Sequence, residues 1–505
     1  MKRLFFVIAA VVVCCMASCV GSAGRSHPDL PRRLRGIEPK DGSLPQPVFD
    51  LGRTTLRIHF MGDFDKYIGS DPIRLIRNTM FEGQQMLTGV VDASTGVLEF
   101  VYDQYGSENV VFMGQLPEVM WVAPGETADI YMDAATAEQW RRYLASYNPD
   151  DLPPPHIVAE GRYADLNMLY NDTYNSFYGD LWENAELRSS FPDGQYAAAL
   201  LREYRTLADS LTRRTDLPQM IRELDLAELR IQLMDGLCNS VSHRINLYRA
   251  ENDYNVTQLP EFKPLDDVYI SEICTLFDIS DASLALTEYR SYADVATVYD
   301  WRRVQPGLAG PLADIYTFGN SANDAKNNRL TAETLSEVES LANPFYGRML
   351  RSMQEAAQLA VAEAEGLVQK NPDVPVAKLF DTMIAPYHGK VVVADFWNTW
   401  CGPCRASIAA IEPLKSDELH SDDLVWLYLA NHTSPLGTYM QMIPGIAGVH
   451  YRLDEAAWRY LCDEQFHIDG IPAYVLVRRN GAYELRNDLH DHKALTCELK
   501  RLLAE

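Results

Sequence analysis

The sequence predicts a multidomain protein in which a C-terminal α/β domain is preceded by a β-rich N-terminal domain and a helical middle domain. Three observations carry that expectation. A chain of 505 residues is too long for one hydrophobic core and suggests about three domains. Its apolar pattern changes from short alternating runs to helical spacing near residue 135. Close to the C-terminus, a continuous run of β-branched and apolar residues leads directly into a Cys-x-x-Cys sequence with helix-forming residues behind it.

Composition narrows the functional classes. With 47% hydrophobic and 23% charged residues, the chain has the make-up of an ordinary globular protein. Its 45 Lys plus Arg stand against 70 Asp plus Glu, a formal charge of -25, so the basic surface that a nucleic-acid partner requires is missing. The acidic excess reads as a solvated surface. Cysteines are too sparse for a disulfide-stapled scaffold, and the cores must hold the fold.

The first 18 residues have the parts of an export signal: Lys2 and Arg3, an apolar run from Leu4 to Val13, then small residues before a cysteine. The apolar run is shorter than a bilayer-spanning helix needs. Met16-Ala17-Ser18-Cys19 resembles the lipobox of bacterial lipoproteins, with Met16 in place of the usual Leu. That resemblance implies cleavage after residue 18 and lipidation of Cys19; a plain secretory signal cut nearby is the other reading. Six thiols then remain, at Cys238, Cys274, Cys401, Cys404, Cys462 and Cys497, and only one pair has a redox spacing.

Residues 19–46 are rich in Gly, Ser, Pro and Arg without periodicity and read as a flexible tether. From 47 to 134 short apolar runs alternate with turn residues such as Asp92-Ala93-Ser94-Thr95-Gly96, which predicts the β-rich domain. From 135 to 370 helical spacing takes over, clearest in Tyr196 to Arg214, Pro218 to Ala250, Asp281 to Tyr299 and Phe345 to Gln369. Pro372 and Pro375 break that run, so 371–377 is expected to be a linker and 378–505 the α/β domain.

Lys390 to Phe396 has the pattern of a central strand buried on both faces, and Trp400-Cys401-Gly402-Pro403-Cys404 follows. Pro403 suits the first turn of a helix, where its missing N–H would have had no partner. Cys401 is thus expected at a helix N-terminus, where unsatisfied N–H groups and the helix dipole favour thiolate over thiol. It is the candidate nucleophile, and Cys404, one turn along, is the candidate resolving thiol. Asp395 sits in the apolar run, where a carboxylate carries a desolvation penalty; it is the candidate proton acceptor for Cys404, the alternative being a carboxylate that reaches solvent at the strand end. A structural zinc site would need two further close ligands, and none is evident at such spacing. No cofactor is expected.

Downstream, Phe466-His467-Ile468-Asp469-Gly470-Ile471-Pro472-Ala473-Tyr474 enters another apolar strand. Together with Asp-Phe-Trp-x-x-Trp-Cys-Gly-Pro-Cys from Asp395 to Cys404, it resembles thioredoxin, and specifically the exported TlpA-like branch. The resemblance covers about a quarter of the chain. It implies a thioredoxin fold for 378–505 and a cis proline facing the cysteine pair. Substrate contacts are then expected at Trp400, Gly402, Pro403, Ile471 and Pro472. The 68 residues from Cys404 to Pro472 exceed thioredoxin's own spacing and resemble relatives that carry an insertion, in or beside which Tyr439 and Gly448 to Leu453 would lie. Asn480-Gly481 predicts a hairpin, and His492 to Leu503 the last helix.

Asp488, His490, Asp491 and His492 read more simply as a helix N-cap region than as metal ligands. Cys462 and Cys497 are expected as buried packing thiols. Cys238 and Cys274 could be bridged or free, because spacing does not fix connectivity. The function expected is an envelope thiol-disulfide oxidoreductase, a periplasm-facing lipoprotein that reduces disulfides of exported proteins. Its electrons would come from an upstream membrane donor. An oxidase or isomerase, or a peptide-binding lipoprotein with a secondary redox domain, are the competing readings.

Overall fold

The structure, a computed structural model, describes residues 27–505 apart from 68–71, 80–82, 113–118, 147–156, 174–180, 254–255, 257, 288–291, 487 and 490–491. The expected signal segment and the expected lipidation site Cys19 lie outside the described residues. The chain divides into two compact units, Met1–Ala313 and Asp314–Glu505.

Among the described residues of the first unit eight strands form two four-stranded sheets. They are β1 (Leu51–Met61), β2 (Ile73–Thr79), β3 (Gly83–Gly89), β4 (Val97–Tyr105), β5 (Glu108–Phe112), β6 (Val119–Val122), β7 (Thr127–Asp133) and β8 (Ile157–Glu160). The orders are β4-β1-β7-β8 and β3-β2-β5-β6. Burial alternates along β4, as a sheet with one wet face demands. The inward side chains, among them Leu56, Ile58, Leu75, Phe100, Val110 and Met120, make one apolar core. Helices Asp193–Thr212, Gln219–Cys238 and Ser240–Glu251 follow, the last two dividing the helical run expected from Pro218 to Ala250.

Three expectations for this unit need correction. From residue 27 the expected tether is packed: Leu30 and Leu34 are buried with Met61 and Val158, and Leu44 with Trp121. The Asp41 carboxylate accepts from the N–H groups of Gln219 and Met220 at 2.9 and 3.0 Å, satisfying free donors at the start of the helix Gln219–Cys238. The β-rich region does not end at 134, since β8 pairs antiparallel with β7. A four-residue strand with three consecutive buried positions is too short to show an alternating pattern. Asp281 to Tyr299 is not one helix but a 3-10 turn at Ala282–Leu286 and a helix at Tyr292–Val298.

The second unit is built on a six-stranded sheet of order β14-β13-β10-β11-β12-β9. Its strands are β9 (Val368–Gln369), β10 (Val391–Phe396), β11 (Leu424–Asn431), β12 (Val449–Leu453), β13 (Ala473–Val477) and β14 (Tyr483–Leu485). Strand β10 is central, parallel to β11 and antiparallel to β13, and all six of its residues are buried. Five helices matter for the site: α1 (Phe345–Glu363), α2 (Leu379–Ile384), α3 (Gly402–Lys415), α4 (Leu436–Met442) and α5 (His492–Ala504). Val391 and Val393 face a core shared with Cys404 and Ile408 of α3 and Leu495 and Leu499 of α5. Val392, Ala394 and Phe396 face the opposite core, with Phe380 and Met383 of α2. The Asn480-Gly481 turn forms as expected, with Gly481 at φ 84° and the Arg478 N–H on the Ala482 carbonyl at 2.8 Å.

The boundary expected at 371–377 is displaced, because the helices from residue 314 onward belong with the α/β domain. A Cβ added at Gly437 of α4 would lie 2.4 Å from the Ala357 Cβ of α1, so only glycine permits this approach. The helical run expected to reach Gln369 stops at Glu363, and Val368–Gln369 becomes the sheet edge beside β12.

Candidate active site

A buried central strand, a helix that starts at its C-terminal end and a loop carrying a cis peptide bond converge on two sulfurs. Cys401 and Cys404 are disulfide-bonded, with Cα atoms 5.3 Å apart. Cys401 is the N-cap of α3, and its Sγ accepts the Cys404 N–H at 3.1 Å. A helix beginning here is expected, since Pro403 falls in its first turn. Cys401 is 4% exposed and Cys404 fully buried, whereas Gly402 and Pro403 face solvent.

Trp400 is 60% exposed, and its indole N–H donates to the Thr433 Oγ1 at 2.9 Å. The Ile471-Pro472 bond is cis, as the resemblance implies, and the Ile471 carbonyl oxygen lies 3.7 Å from the Cys401 Sγ. Of the expected contact residues, Trp400, Gly402 and Pro403 adjoin the cysteines in sequence, and Ile471 places its carbonyl against the Cys401 sulfur.

Asp395 is 2% exposed and does not reach solvent. By alternation along β10 it shares the face of Val391 and Val393, the side on which both cysteines pack. Its Oδ1 has no hydrogen-bond partner in the described protein. Burial pushes its pKa from the ordinary 3.8 up to about 7, with the Lys415 charge pulling the other way.

Across the sheet, Asp395 lies opposite Tyr428 of β11 and Tyr474 of β13. The Tyr474 hydroxyl bonds Ser407 of α3 at 2.6 Å. Lys415 of α3 donates to the Tyr428 hydroxyl at 2.7 Å, the Glu412 carboxylate at 2.7 Å and the Ala447 carbonyl at 2.6 Å. His450 of β12 stacks on Tyr428 with centroids 5.3 Å apart. Burial lowers the proton affinity of both Lys415 and His450, so the basic groups near the carboxylate are themselves disfavoured as cations.

Sequence reasoning did not single out Lys415, Tyr428 or Tyr474. A signal existed for the lysine. Cys404, Ile408, Ile411 and Lys415 follow helical spacing along one face of α3, which points the lysine toward the sheet.

The other expected sites stand apart. Cys238 and Cys274 carry free thiols, so no bridge joins them. Cys462 is buried as expected, but Cys497 is exposed: it falls on the outer side of α5, whose Leu495, Leu499 and Leu502 take the inner face. Asp488 is bound to Arg486 in a bidentate pair at 2.8 Å, while His490, Asp491 and the His492 side chain lie outside the described residues. Among the described residues no helix is long and apolar enough to cross a membrane.

No protein-family model matches the chain, and no curated protein matches it. Solved structures similar to parts of it include a provisionally named thiol-disulfide oxidoreductase from Bacteroides vulgatus, 25% identical, covering 24% of this chain and 78% of that one with a TM-score of 0.21. A secreted disulfide oxidoreductase from Mycobacterium tuberculosis is 18% identical over 23% of this chain and 86% of that one, at a TM-score of 0.20. An exposed lipoprotein thioredoxin from Streptococcus pneumoniae is 20% identical over 24% and 90%, also at 0.20. Overlaps this partial leave the chemistry to rest on the site's own residues.

Proposed function

We propose that the α/β domain of the second unit is thioredoxin-like, of the TlpA-like kind, and that it reduces disulfides of exported proteins. The observation that carries this reading is the Cys401–Cys404 disulfide at the first turn of α3, with the Cys404 N–H directed at the Cys401 sulfur. That N–H and the helix dipole stabilise a Cys401 thiolate once the pair is reduced.

The thiolate attacks one sulfur of a client disulfide; an S–S bond to Cys401 forms, the client's bond breaks, and its other sulfur leaves as a thiolate that takes a proton from water. Cys404 gives its proton to the Asp395 carboxylate and attacks the Cys401 sulfur. This releases the second client thiolate and forms the intramolecular disulfide. The client gains two electrons and the protein loses two, so a dithiol-level donor must restore the pair, a role proposed for an upstream membrane protein. Trp400 and the cis Ile471-Pro472 segment flank Cys401 where a client backbone would lie. Lipidation at Cys19 would hold the protein at a membrane, facing the periplasm, as the lipobox-like Met16 to Cys19 supports.

Cys404→Ser in the full chain should accumulate client adducts that run as separate bands on non-reducing gels and collapse with dithiothreitol. Recovery of no thiol-linked client would favour a binding lipoprotein instead. In glutathione buffers the couple should lie near thioredoxin's potential of about -270 mV. A value close to about -120 mV, that of a strong dithiol oxidant, would reverse the direction.

A further inference from the structure

The segment between Cys404 and Pro472 contributes more than spacing. Its strand β12 carries Arg452, opposite Ala430 of β11. The guanidinium donates through Nη2 to the carbonyl oxygens of His432 and Ser434, at 3.1 and 2.9 Å, and through Nε to Ser434 at 3.3 Å. No carboxylate pairs with it among the described residues, so its charge is committed to two backbone carbonyls of one loop. A planar fork of donors can bridge two carbonyls in a way a single ammonium does not.

That loop is wired to the turn bearing the nucleophile. The Ser434 hydroxyl donates to the Asn398 Oδ1 at 2.7 Å and accepts the Thr399 N–H at 3.1 Å. The Asn398 carbonyl accepts the Cys401 N–H at 3.0 Å. Asn398, Thr399 and Ser434 are 1%, 6% and 0% exposed, so water does not compete for these bonds. A parallel branch runs from Asn398 through the Asn431 N–H to Thr433, which holds the Trp400 indole.

We infer that Arg452 is a positioning residue for Cys401: through Ser434 and Asn398 it fixes the turn that keeps the Cys401 sulfur in line with the Cys404 N–H. This rests on the reading of Cys401 as the nucleophile. Loss of the strap lets the turn relax, weakens that N–H···S contact and lowers the thiolate fraction.

The test is the pH dependence of iodoacetamide alkylation in the reduced full chain, read at the Cys401 peptide by mass spectrometry, with the glutathione-buffer potential beside it. Arg452→Met should raise the Cys401 titration midpoint and slow alkylation at neutral pH roughly tenfold, the worth of one hydrogen bond to a charged sulfur. Arg452→Lys, which still reaches one carbonyl, should fall between. Folded Arg452→Met with the wild-type midpoint and potential overturns the inference. Should Arg452→Met not fold, Ser434→Ala cuts the same connection at the hydroxyl, and an unchanged midpoint there overturns it equally. If the wild type reduces no disulfide while Arg452→Met still shifts the midpoint, the proposed function falls and the positioning role stands.

Discussion

Cys401→Ser should lower disulfide exchange by roughly three orders of magnitude or more, the scale on which removal of a catalytic nucleophile acts. The reason is positional. Only the Cys401 sulfur caps α3 and accepts the Cys404 N–H; Cys404 is fully buried and cannot meet a client disulfide without the helix opening. The two serine variants should therefore differ in kind. Cys404→Ser still attacks and stalls as a mixed disulfide, whereas Cys401→Ser neither attacks nor traps. An insulin-reduction assay with dithiothreitol as donor, run beside non-reducing gels, separates the two, and client adducts formed equally by both variants, or by Cys401→Ser alone, would contradict the assignment.

Asp395→Asn should stabilise the protein above neutrality and cripple the resolving step. With the folded pKa near 7 against an ordinary 3.8, the carboxyl is protonated in folded and unfolded chains alike below about pH 3.8. Between 3.8 and 7 the unfolded chain releases its proton while the folded one retains it, so stability falls as pH rises, by about 1.4 kcal/mol per unit. Above 7 the loss levels off at about 4 kcal/mol. An amide carries no such penalty. The variant's advantage, measured by urea-dependent hydrogen exchange of β10 amides, should be small at pH 4 and grow to a few kcal/mol at pH 8. A gap independent of pH would contradict the buried, shifted carboxyl.

The same substitution removes the proposed base for Cys404. Release of a preformed mixed disulfide should slow about a hundredfold, the lower range for a lost general base. The rise in its rate through pH 7 should disappear with it. Stability gained and activity lost from one atom is the signature of a charge kept for chemistry.

How much of this was legible depended on the range of the signal. The cysteine pair, the helix beginning at Gly402, strand β10, the hairpin at Asn480-Gly481 and the burial of Asp395 rest on local features: a run of β-branched residues, a proline in a first turn, an Asn-Gly pair. Each survives in a single stretch of sequence. What tertiary partners decide was misread or missed. Residues 27–46 look like a tether because Pro, Gly and Arg dominate, yet Asp41 finds a helix terminus 178 residues away in sequence. Gly437 gives no hint that α1 packs across it. Strands β8 and β9 are too short to carry a period. Around the site, Arg452 and Ser434 are ordinary polar residues in sequence; only the folding of β12 beside β11 gives them their bonds to the cysteine turn.

The acidity of Cys401 tests the central claim most directly. Reduced Cys404→Ser protein, followed by thiolate absorbance difference against a Cys401→Ser, Cys404→Ser reference, should show Cys401 titrating well below the ordinary thiol value of about 8.5. A midpoint at or above that value would contradict a thiolate held by the first turn of α3.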